Sequence, residues 1–157
     1  MRAFCTFVRP LLEFSSVIWN PYLISDVKRI ESVQRRFTKS INYLHTSSYP
    51  ERLLNLCVDS LQCRRVKADL IFCYKLLHGQ IDVQTDDFVI LDNSINLRGN
   101  RYKLAKSIIT TTRDANFYSN RIVNIWNDLP DSIVMASTVS LFKRRLRNFD
   151  FLATFFT

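Results

Sequence analysis

Between Val27 and Leu44, apolar residues recur at steps of three and four: Val27, Ile30, Val33, Phe37, Ile41 and Leu44. Such steps gather side chains on one face of a helix, whereas a strand would scatter them to both sides. Lys28, Arg29, Arg35, Arg36 and Lys39 fall on the opposite arc. The spacing predicts an amphipathic helix over 26–44, with Ser25 as its N-cap. Tight β-turns draw heavily on glycine, and the chain has only 2 Gly and 4 Pro in 157 residues. The fold class expected is therefore mainly α.

Other segments repeat the helical period. Phe4, Phe7, Val8, Leu11, Leu12, Phe14, Ile18 and Trp19 share a broad apolar face of a helix over 4–19, with Arg2, Arg9, Glu13 and Ser16 opposite. Trp19 is expected to anchor a core, and Glu13 to pair with Arg9 one turn away. Pro10 predicts a kink, or the first turn of a second helix, and Asn20-Pro21 a stop. Pro50 suits the first turn of a short helix over 50–57. Ser60 is expected to cap a longer helix ending at Gly79, apolar around most of its circumference and hence packed on several sides. Its polar strip would be Arg64, Lys67, Lys75 and His78.

Residues 97–112 mix β-branched residues, Gly99-Asn100 and alternating bases, which predicts a short β-hairpin or an extended basic arm. Tyr118, Ile122, Ile125, Trp126 and Leu129 align on one helical face before Pro130. A last helix over 138–152 would turn Val139, Phe142, Leu146 and Phe149 inward and Lys143, Arg144 and Arg147 outward.

Charge divides the chain more sharply than hydropathy does. Residues 1–79 hold 12 Lys and Arg against 6 Asp and Glu, and residues 96–149 hold 10 against 3. Between them, residues 80–95 carry four aspartates and no base. The organisation expected is a helical lobe over 1–79, an acidic connector over 80–95 and a basic C-terminal lobe over 96–157. A net charge of +8 suits a polyanionic partner such as RNA or DNA.

The same residues argue against most enzyme chemistry. Two glycines cannot build a phosphate-cradling loop or a dinucleotide fingerprint. The four cysteines (5, 57, 63 and 73) and two histidines lack zinc-ligand spacing, so no metal and no cofactor is expected. Apolar surroundings would leave the cysteines as inert, reduced thiols of an intracellular protein. The first residues lack a signal-peptide pattern, and no apolar run reaches the ~20 residues of a membrane span. Asp86-Asp87 could in principle hold metal ions for phosphoryl transfer, but it follows Gln84-Thr85 in the acidic connector and reads as a solvated loop.

The basic stripes remain. Lys28, Arg29, Arg35, Arg36 and Lys39, then Lys143, Arg144 and Arg147, supply charge for phosphates. Arg98, Arg101, Tyr102, Lys103 and Lys106 interleave cations with a ring that could stack on an unpaired base or pack on the fold.

In order, the chain reads RPLLEFSSVIWNPY, IESVQRRFTKSI, SYPERLLNL, SLQCRRVKADLIFCYKLLHG, RGNRYKLAK, NFYSNRIVNIWNDLPDSIV and SLFKRRL. This succession resembles the C-terminal part of the reverse transcriptase of non-LTR, jockey-like (LINE-type) retrotransposons, over roughly residues 7 to 149. The resemblance implies a thumb-like helical lobe plus a C-terminal extension that hold template RNA and target DNA. It implies no catalytic residue here, because the aromatic-x-Asp-Asp palm of such enzymes precedes this region. That palm, an RNA-directed DNA polymerase domain, would be the missing neighbour, and Met1 either a start within a truncated element or the edge of a gene model. A protein–protein interaction module and an inert retroelement relic are the alternatives.

Overall fold

The computed structural model describes residues 1–92, 102–107, 110–149 and 151, without the side chain of residue 113. It is mainly helical. A π-helical turn over Phe4–Val8 leads into α1 (Arg9–Glu13), α2 (Ser16–Trp19), α3 (Ile24–Lys39), α4 (Tyr49–Asn55) and α5 (Leu61–Leu77). Then come α6 (Thr112–Asn116), α7 (Tyr118–Asn127), α8 (Asp131–Val134) and α9 (Val139–Asn148). Among the described residues no helix is long and apolar enough to cross a membrane.

Contacts divide the chain into two compact units, Met1–Val66 and Lys67–Thr157. The division falls within the residues of α5, and the acidic connector belongs to the second unit.

In the first unit, local chemistry sets the helix ends. Pro10 occupies the first turn of α1, where its missing N–H costs nothing. The backbone then breaks at Phe14, and Ser15 takes a left-handed conformation at φ 52° before α2. Ser48 and Glu51 form a reciprocal capping box on α4, with Pro50 in its first turn. The N-cap of α3 is Leu23, not Ser25, and it makes no side-chain cap. This helix ends at Lys39 rather than reaching residue 44, and Asn42–Leu44 form a separate 3-10 turn.

Two inward faces differ from the wheel readings. Of the 4–19 face, only Phe4 is buried, stacked on Phe37 at 4.6 Å between ring centroids. Phe7, Leu11, Phe14 and Ile18 are 71%, 77%, 76% and 84% exposed, and Trp19 is exposed with its indole N–H donating to the Phe14 carbonyl. The polar side turns inward instead. Ser16 is buried, and Glu13 takes a two-pronged ion pair from Arg64 of α5, with Arg64 Nη2 2.9 Å from Glu13 Oε2. The expected ion pair with Arg9, one turn away, is also present at 4.0 Å.

On α3 the buried residues are Glu31, Gln34 and Thr38, while Val33 is exposed. They form a polar brace. The Glu31 carboxylate accepts from the Tyr49 hydroxyl and from the backbone N–H groups of Leu61 (3.1 Å) and Gln62 (3.2 Å) at the start of α5. Gln34 Nε2 donates to Tyr49 Oη (3.2 Å) and the Asp59 carbonyl (3.0 Å). The buried Arg52 donates to Thr38 Oγ1 at 3.2 Å and to the Ser47 carbonyl at 2.6 Å.

The second unit is built on apolar packing. Leu70, Cys73, Tyr74 and Leu76 of α5 are buried, as are Tyr118, Ile122, Val123 and Trp126 of α7 and Phe142 and Leu146 of α9. Gly79 ends the α5 run at φ +60°, a conformation glycine adopts without Cβ strain. A buried ion pair crosses this core: Asp69 with Arg121, whose Nε and Nη2 lie 3.0 and 3.1 Å from the two carboxylate oxygens. The described part of the connector packs rather than dangles. Val89 is buried, and Phe88 meets Phe72 edge-on at 5.7 Å. The expected hairpin or arm is represented by one antiparallel bridge, Leu91 with Leu104, flanked by Asp92 N–H to Lys103 O and Ala105 N–H to Ile90 O, both 2.8 Å. No strand is formed among the described residues.

Candidate nucleic-acid interface

All five basic residues of α3, Lys28, Arg29, Arg35, Arg36 and Lys39, are exposed. At about 100° per residue they occupy an arc of about 120°, so one helix face presents them together. The brace beneath explains why that face points outward: Glu31, Gln34 and Thr38 are tied to α4 and α5, and the basic arc is what remains.

Arg35 is partly engaged, its guanidinium carbon 4.8 Å from the centre of the Tyr49 ring. The Glu31 carboxylate one turn away is instead turned toward Tyr49 and the start of α5. Among the described residues, Lys28, Arg29, Arg36 and Lys39 have no ion-pair partner. Their charges are uncompensated locally and open to an external anion.

Tyr49 backs this face. Its hydroxyl pKa is pushed well above the ordinary tyrosine value, first by burial and then by its hydrogen bond to the Glu31 carboxylate. The phenol therefore stays protonated, and a hydrogen-bond donor, throughout the physiological range.

The second unit holds the other candidates. Lys143, Arg144 and Arg147 are exposed on α9, within about 100° of arc. Their neighbour Arg145 instead donates to the Ser132 carbonyl. Lys106 is exposed, while Tyr102 and Lys103 are half-buried beside the 91–104 bridge. Tyr102 is a packed residue, its carbonyl accepting from Trp126 Nε1 at 2.8 Å and its ring 5.0 Å from that of His78. Arg98 and Arg101 lie outside the described residues.

Asp86 and Asp87 lie exposed in a 3-10 turn over Thr85–Asp87. The buried Cys73 thiol is pushed up by desolvation, which opposes thiolate formation, and burial likewise raises the neighbouring Tyr118.

Sequence reading overlooked Glu31, Tyr49, Gln34, Asp69 and Arg121, the polar residues that orient the basic arc and the core. Their partners lie far away in sequence, Glu31 with Tyr49, Gln34 with Asp59 and Asp69 with Arg121, so no local spacing marked them.

No protein-family model, no curated protein and no solved structure matches the chain.

Proposed function

We propose that this chain binds nucleic acid electrostatically inside the cell, and that it corresponds to the thumb and C-terminal extension of a non-LTR retrotransposon reverse transcriptase. In this reading it holds template RNA or target DNA and contributes no polymerase chemistry of its own. The family assignment rests on the order of the seven sequence strings. The observation that carries the binding reading is the exposed, uncompensated arc of Lys28, Arg29, Arg36 and Lys39 on α3.

Each such cation near a phosphate displaces condensed counterions, giving affinity that tolerates sequence. The test is a variant with all four residues changed to Gln. Surface changes of this kind cost little stability. Its affinity for single-stranded RNA and for RNA–DNA duplex at ~50 mM salt should fall by about 30-fold or more. Equal affinity in wild type and variant contradicts the assignment, as would robust primer extension by the wild-type chain with nucleotides and Mg²⁺.

A second reading, association of two copies, is favoured by the exposure of Phe7, Leu11, Phe14 and Ile18. Together these side chains present on the order of 500 Å² per chain, so a symmetric contact would bury about 1,000 Å², the lower end for a specific interface.

A further inference from the structure

Four aromatic rings in the second unit form a column. Phe142 and Tyr74, both fully buried, stack at 4.4 Å and 25°. Tyr74 and His78, one turn apart on α5, stack at 4.0 Å and 17°. His78 and Tyr102 meet at 5.0 Å and 37°. The column runs from the core to a half-buried edge, and there His78 and Tyr102, with Met135, Ala136 and Ser137, line a cavity of about 220 Å³.

The walls are held in place. Tyr74 Oη donates to the Ala136 carbonyl at 2.6 Å, and His78 Nδ1 donates to the Tyr74 carbonyl at 2.9 Å. Trp126 Nε1 fixes the backbone of Tyr102. A ligand entering here would have little ordering left to impose, which favours affinity.

The lining also selects a chemistry. Among the described residues, no carboxylate, lysine or arginine lines it. The lining residues supply aromatic rings in His78 and Tyr102, a polarizable thioether in Met135 and the Ser137 hydroxyl. The volume lies below that of a drug-sized pocket (about 300 Å³ upward) and suits one flat ring system.

We propose that this cavity takes a nucleobase, stacked against the His78–Tyr102 end of the column. As a binding chemistry it stands on the cavity alone; as a physiological role it rests on the nucleic-acid reading above. The base could belong to an unpaired strand or to a free nucleotide.

The test is an NMR titration of the full chain with adenosine, which carries no phosphate. Saturable shifts are expected at the His78 ring and the Met135 methyl, and none with ribose. Tyr102→Phe should keep adenosine binding, and Tyr102→Leu should weaken it at least about fivefold. Absence of saturable shifts at these probes in the wild-type chain overturns the proposal whether or not a variant folds. So does unchanged affinity in a folded Tyr102→Leu variant.

A parallel arm compares an oligomer of about 12 nucleotides with an abasic strand of equal charge. A base-dependent preference that Tyr102→Leu abolishes identifies a strand-borne base. Adenosine binding without such a preference supports the cavity with a free nucleotide as its source. Salt-sensitive oligomer affinity without adenosine binding overturns the cavity proposal and leaves the electrostatic reading standing. Adenosine binding without oligomer affinity does the reverse.

Discussion

Glu31 carries more of the first unit than its sequence context suggests. Its carboxylate receives two backbone N–H groups at the start of α5 and the Tyr49 hydroxyl, so one side chain fastens α3 to α4 and α5. A negative charge at a helix N-terminus is also favoured by the helix dipole. Nothing local marks this residue. Glu31 is one of several charged residues on a charged helix, and only its tertiary partners distinguish it from Arg35 or Arg36. The expected burial of Val33 failed for the same reason, since the face that turned inward was the one with hydrogen-bond partners waiting. Glu31→Ala should lower stability by about 3 kcal/mol, because it strips charge-assisted bonds and leaves buried donors unpaired. Urea unfolding followed by circular dichroism checks this, and an unchanged midpoint would remove Glu31 from its structural role.

At the scale of elements, legibility depended on continuity. The faces of α7 and α9 could be read from spacing because each is an uninterrupted run over an apolar core: Tyr118, Ile122 and Trp126 are buried, and so are Phe142 and Leu146. The segment over 4–19 is not one helix. A π-helical turn, α1 and α2 succeed one another with a left-handed Ser15 between the last two, so a single wheel misassigns its faces. The Glu13–Arg64 pair then fixes which side turns inward. The consequence is four apolar side chains left exposed: Phe7, Leu11, Phe14 and Ile18. If two copies associate through them, sedimentation should show a monomer–dimer equilibrium that Leu11→Lys with Ile18→Lys shifts fully to monomer. A compact wild-type monomer that binds no apolar dye contradicts the self-association reading.

For the whole molecule, composition and apolar spacing foretold a mainly helical chain, and the five basic residues of α3 and Lys143, Arg144 and Arg147 of α9 lie exposed on their helices. The partition was less legible. Contacts divide the chain inside α5, where a continuous helical run leaves no compositional mark, while the acidic segment packs into the second unit through Val89 and Phe88. The aromatic column was hidden too, because its rings come from α5, α9 and the 91–104 bridge. The central claim concerns the α3 charges, and salt dependence tests it most directly. If four of them meet phosphates of a single strand, log K should fall with log salt at a slope near −3, about a 50-fold loss between ~50 and ~200 mM. The four-Gln variant should bind more weakly with a markedly shallower slope. A wild-type slope shallower than about −1, or a variant that keeps the wild-type slope, would contradict the account.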